Sequence, residues 1–172
     1  MVREPMEIRD VATFLDYLGS VHGRTRRVVL CIPPSDIEWG PGSGRFTFGD
    51  VVRHLAGIER WMYAETIQGR QSRYPGHGVE LASGFDDVVA YYDRLHEESR
   101  AIFARLDSSA LSGKSFTPAG TPVSTWKWLR SMIEHEAHHR GQLYLMLGMH
   151  GIETPPIYGL TSEEVHARSL VP

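Results

Sequence analysis

Cysteine is nearly missing from this chain. Cys31 stands alone, so no intrachain disulfide can form, which suits a reducing compartment. Lysine is almost as scarce. Of 18 basic residues only Lys114 and Lys127 are lysines, a bias that genome composition explains and that carries no function. No basic excess exists either. The net charge is −3, which disfavours a nucleic-acid binder that works by neutralising phosphates. No stretch approaches the ~18 uninterrupted apolar residues of a membrane span. Charged residues crowd the segment from Met1 to Asp10 before any apolar run, unlike a signal peptide. The expectation is a cytoplasmic protein with no membrane and no nucleic-acid partner. No internal repeat is visible, and no segment alternates convincingly as a strand.

What remains is ordinary globular composition, 41% hydrophobic and 23% charged over 172 residues. That length predicts a single domain, 1–172, able to bury its own core. Apolar periodicity predicts helices nearly throughout. Val11, Phe14, Leu15, Leu18, Val21, Val28 and Val29 mark a first helix from about Ile8 to Leu30, stopped by Pro33-Pro34. Thr47 and Asp50 form a capping-box pattern opening a second helix, striped by Val51, Leu55, Ile58 and Met62 and closed by Gly69. Ser83 with Asp86 signals the start of a third helix, which Val88, Tyr91, Tyr92, Leu95, Ile102, Phe103 and Leu106 carry. A fourth runs from near Ser124 to Met149, and Thr161 with Glu164 opens a short last one. Loops fill 33–45, 70–84 and 108–121. The reading is all-α, a four-helix bundle with long connections and a short C-terminal helix. Connections this long hint at function within them.

Nine histidines are present, and three of them fall in the run Glu134-His135-Glu136-Ala137-His138-His139-Arg140-Gly141-Gln142. At about 100° per residue, with His135 at zero, Trp128 and Met146 lie at about 20°, His139 at about 40°, Met132 at about 60° and Leu143 at about 80°. His135 and His139 therefore share the apolar stripe, one turn apart, close enough for both rings to hold one ion. His138 sits at about −60°, off that stripe, and is not expected to be a ligand. On the second helix, His54 falls among Val51, Ile58 and Met62, with Glu65 about 20° away from it. An unpaired imidazole on an apolar face is costly to bury, and three converging on a divalent cation would satisfy one another. The bland alternative is a set of hydrogen-bonded core histidines. His22, His77, His96, His150 and His166 are taken as surface or loop residues, and Trp61, Trp126 and Trp128 as packing.

His135-Glu136-x-x-His139 also matches the H-E-x-x-H of zinc peptidases, with Glu136 as the base that activates water. The chain is small and shows no strand to hold an extended peptide, so proteolysis is not expected.

These residues carry a resemblance. His54-Leu55, then His135-x-x-x-His139-Arg140-Gly141-Gln142, look like the DinB/YfiT superfamily of metal-binding four-helix bundles. The likeness extends through Phe46-Thr47-Phe48-Gly49-Asp50, Trp126-Lys127-Trp128-Leu129 and Pro155-Pro156-Ile157-Tyr158-Gly159-Leu160, nearly the whole chain. The resemblance implies one divalent metal on His54, His135 and His139. Zn or Ni are the leading candidates, with Fe, Mn or Co behind them. It also implies homodimers and a metal-dependent transferase using a low-molecular-weight thiol such as bacillithiol or mycothiol, or else a hydrolase, acting on a small electrophile. The alternative is a non-enzymatic metal- or ligand-binding stress-response protein. Glu136, at about 100°, would orient a ligating imidazole, act as a base, or pair with an arginine. Arg140, at about 140°, and Gln142, at about −20°, cannot share one role, and Arg140 is expected to make an ion pair with a neighbouring helix.

Overall fold

The computed structural model describes residues 7–169, so Arg3 and Glu4 of the charged N-terminus lie outside it. Helix α1 spans Val11–Val29, and the Asp10 carboxylate caps it by accepting from the Thr13 N–H. Helix α2 spans Phe48–Ile58 and opens on the expected capping box. Asp50 N–H donates to Thr47 Oγ1 while the Asp50 carboxylate accepts from Thr47 N–H. The helix does not run on as a regular α-helix to Gly69. Glu59–Tyr63 form a π-helical turn, in which Ala64 N–H reaches back five residues to the Glu59 carbonyl, before α3 (Ala64–Ile67). One extra residue in the turn re-phases everything after it. Glu65 consequently sits with Arg60, Arg70 and Arg73, away from the His54 face on which a regular helix would put it.

Helix α4 covers Phe85–Phe103. Its N-cap is Gly84, at φ 84°, and Ser83 makes no cap bond, so the start lies one residue beyond the expected signal. The 108–121 loop is more structured than periodicity suggested. It holds the short helix α5 (Ser108–Ser112) and leads into an antiparallel hairpin, β1 (Lys114–Phe116) against β2 (Pro122–Ser124), with Ser115 opposite Val123. Three residues per strand are too few to show an alternation. Helix α6 spans Thr125–Met149, and α7 spans Ser162–Ser169 behind its capping box of Thr161 and Glu164.

The long helices close a ring. α1 packs on α4 and α6, and α2 packs on the same two, so α1 and α2 lie diagonally opposite. This is the four-helix bundle expected from the periodicity. Its core is divided in two. One apolar cluster gathers Val28, Ile32, Phe48, Val52, Leu95 and Leu147, and the other Phe14, Leu18, Phe103, Leu111, Trp126 and Leu129. Each such side chain contributes about 1.5–3 kcal/mol when fully buried. Buried polar residues from all four long helical segments complete the interior: His22 and Thr25, Glu59, His96 and Ser99, Glu136 and Arg140. Among the described residues no helix is long and apolar enough to cross a membrane.

Candidate metal centre

The facing of α6 decides which of its residues meet which partners. The buried side chains Leu129, Met132, Glu136, Arg140, Leu143 and Leu147 centre at about 100° on the wheel that puts His135 at zero. His135 and His139 therefore sit at the edge of the buried stripe, half-exposed, and not in its middle. That edge is where α2 brings His54, also half-exposed. The three ring centroids lie 4.6–5.0 Å apart. Among the described residues this trio is the group whose donor atoms could hold an ion, with one nitrogen of each ring within 4.8 Å of the others. His54 Nε2 and His135 Nε2 are 3.1 Å apart.

The outward nitrogens suit that arrangement. His54 Nδ1 lies 2.7 Å from the Tyr74 hydroxyl, and His139 Nδ1 lies 2.9 Å from Gln142 Oε1. An amide oxygen only accepts, so His139 carries its proton on Nδ1 and its Nε2 lone pair is free. Burial, and then the neighbouring imidazoles, hold His54 down at about 3 and His135 at about 4. Burial likewise lowers His139, against the opposing Gln142 bond. Neutral rings with oriented lone pairs are what a divalent cation requires. Around the trio stand Phe46, edge-on to His54 at 5.5 Å, and Tyr63, 6.5 Å from His135. His138 is exposed and outside the trio, where the wheel put it.

Glu136 goes elsewhere. It is buried and accepts a hydrogen bond from the Tyr92 hydroxyl on α4 at 2.9 Å. Burial, followed by the charge of Glu59, raises its pKa. Its position at about 100° points it into the bundle, while the histidines point to the bundle's edge. Arg140 also turns inward, but its partner on α1 is the Thr25 hydroxyl at 3.3 Å and not a carboxylate.

Two histidines expected at the surface are core residues. His22 and His96 are stacked, with centroids 3.7 Å apart and planes 9° from parallel. His22 contacts Asp93 at 3.3 Å, and His96 contacts Glu59 at 3.1 Å. The spacing Leu18-His22-Thr25-Val29, and Tyr92-His96-Ser99 on α4, carried that signal. His150 contacts Asp36 at 2.7 Å, and His166 is exposed. Trp126 is core, and Trp128 donates to Thr66 Oγ1, consistent with packing roles. Tyr74 and His77 were missed because both lie in a loop, where no periodicity ties them to His54.

The sequence profile of the DinB superfamily matches residues 17–143. No curated protein matches significantly. Among solved structures, a DinB-like protein from Bacillus cereus ATCC 10987 superposes with a TM-score of 0.72 at 14% identity, covering 86% of this chain and 97% of its own. A DinB-like protein, YjoA, from Bacillus subtilis gives 0.69 at 18% identity, covering 87% and 99%.

Proposed function

This chain belongs to the DinB superfamily, and from that premise we propose that His54, His135 and His139 hold one divalent metal ion at which a small electrophile reacts with a low-molecular-weight thiol or with water. The observation that carries the reading is the convergence of three imidazoles from two helices, with one nitrogen of each within 4.8 Å of the others. All-nitrogen donors favour Zn or Ni over Ca or Mg. When bound, the ion supplies Lewis acidity, which favours the deprotonated form of a thiol or of water near neutral pH. The protein's own part is placement. The Gln142 amide holds the His139 ring, and the Phe46 and Tyr63 rings bound the space beside the trio. Glu136 is assigned to the interior and takes no part at the metal, which argues against a peptidase. The functional unit is proposed to be a cytoplasmic homodimer, as in related bundles, and light scattering on the purified protein checks the assembly.

Elemental analysis tests the site. Wild type is expected to hold about one ion per chain, and His54→Ala and His139→Ala to hold almost none. Equal content in all three would refute the assignment. Screening the loaded protein with bacillithiol, mycothiol and glutathione against model electrophiles tests the chemistry. Water-dependent turnover without thiol selects hydrolysis, and turnover with neither leaves a binding protein.

A further inference from the structure

The 70–84 loop reaches back over α2 and is held at both ends. At its start, Arg73 contacts the buried Glu65 at 3.2 Å and its N–H donates to the Trp61 carbonyl. Toward its end, the fully buried Arg53 donates from Nη1 to the His77 carbonyl at 3.2 Å and from Nε to the Ala82 carbonyl at 2.9 Å. Arg53 is itself fixed by Asp50 and Glu38. Between these anchors the Tyr74 ring lies over Gly57, where an added Cβ would come within 3.1 Å of it. Gly76, at φ 92°, turns the chain so that His77 faces back. A loop tied down in this way places side chains as firmly as a helix does.

What it places is a chain of hydrogen bonds ending on a ligand. His54 Nδ1 is 2.7 Å from the Tyr74 hydroxyl, and that hydroxyl is 3.2 Å from His77 Nδ1. The His77 ring packs on Phe46, with centroids 4.2 Å apart.

We propose that Tyr74 and His77 are positioning residues for the His54 ligand, forming a directed relay from His54 through the Tyr74 hydroxyl to His77. The proposal rests on the metal reading above. If His54 offers Nε2 to an ion, its proton must sit on Nδ1, and it donates to the Tyr74 oxygen. The phenol proton is then free to donate to His77 Nδ1, which leaves the His77 proton on Nε2. Each donor between His54 and His77 meets one acceptor, and the direction follows from the metal end alone. Such outer partners fix the ring and raise its basicity. Gln142 does the same for His139 from within α6. On α2 the polar residue one turn before His54 is Asp50, whose carboxylate is taken by the Thr47 N–H and Arg53, and the partner of His54 comes from the loop.

The test uses zinc competition against a chromogenic chelator, together with 15N NMR of the histidine tautomers in metal-free protein. Tyr74→Phe keeps the ring over Gly57 and removes only the hydroxyl. It is expected to weaken zinc binding by about 10–100-fold. His77→Ala should weaken it several-fold in the wild-type background and not at all in Tyr74→Phe, because its effect passes through that hydroxyl. His77→Asn, whose side-chain oxygen can accept the phenol proton, should recover most of the loss. A His77→Ala penalty equal in both backgrounds, or Tyr74→Phe binding zinc as wild type does, overturns the relay and leaves the metal site standing. Failure of the wild type to bind zinc overturns the metal reading. The relay then has no ligand to position, and the tautomers of metal-free wild type decide only the direction of its hydrogen bonds. His54 protonated on Nδ1 and His77 on Nε2 support it, and His54 protonated on Nε2 overturns it.

Discussion

Two sets of histidines occupy this bundle, and burial alone would rank them the wrong way for metal binding. His22 and His96, at 9% and 3% exposure, are deeper than the half-exposed trio of His54, His135 and His139. What separates them is the partner each ring meets. In the inner pair each ring has a carboxylate, Asp93 for His22 and Glu59 for His96. A carboxylate rewards a protonated imidazole. Burial pulls His96 down, but the Glu59 bond and the charges of Glu59, Glu136 and Glu97 outweigh it and leave the pKa raised. His22 is pushed to about 3, by burial first and then by charge on His96, which outweigh Asp93. The inner pair is thus split, with His96 shifted toward its charged form and His22 toward its neutral form. In the trio the partners are a phenol, an amide and other imidazoles, and burial, with no carboxylate to oppose it, lowers all three pKa values. A carboxylate raises His96 but does not hold a proton on His22, and the trio's neutral partners leave its lone pairs available for the proposed ion.

The comparison breaks if the two sets exchange phenotypes. Glu59→Ala removes the carboxylate that His96 meets at 3.1 Å in the core, and breaking a buried pair of this kind costs about 3–5 kcal/mol. Chemical denaturation of metal-free protein should show that fall, while zinc content per folded chain stays near the wild-type level. His54→Ala should do the reverse, losing the ion with a much smaller change in metal-free stability.

The pH dependence carries opposite signs within the inner pair. For His96 the folded pKa is raised above the unfolded value of ~6.5. Its contribution is full below that value and is lost as pH rises through the folded pKa. For His22 the folded value is about 3, so its contribution is full above ~6.5 and is lost as pH falls from there toward 3. Denaturation of the metal-free chain at intervals from pH 3 to 8 should therefore lose less stability on the acid side in His22→Gln. In His96→Gln the decline above neutrality should shrink instead.

Two milder substitutions sharpen the boundary between the sets. Glu136→Gln keeps an oxygen to accept the Tyr92 hydroxyl and removes repulsion from Glu59. Metal content should be unchanged, and stability should shift by less than about 1.5 kcal/mol. Casein should remain uncut before and after, and chelator-sensitive proteolysis abolished by this change would restore the peptidase reading. His138→Ala is expected to do least, within about 0.5 kcal/mol and with its ion retained, since the side chain is exposed beside the trio.

The bundle itself was legible in the residues. Spacings of three and four, a capping box at Thr47 and another at Thr161, and glycines after some of the helices mark the long segments and several of their ends, because these are local properties of a chain. The i, i+4 pair of His135 and His139 was legible for the same reason, as was the place of His138 off their shared face. Tertiary structure decided the rest. Where the buried stripe of α6 centres depends on which helices lie beside it, so Glu136 and Arg140 went inward and the histidines to the edge. The π-turn at Glu59–Tyr63 broke the phase between His54 and Glu65, and no wheel drawn at about 100° per residue contains it. The pairing of His22 with His96 joins α1 to α4, and the bond from Tyr74 to His54 joins a loop to α2. Periodicity within a segment registers its own faces and is silent on what another segment brings to them.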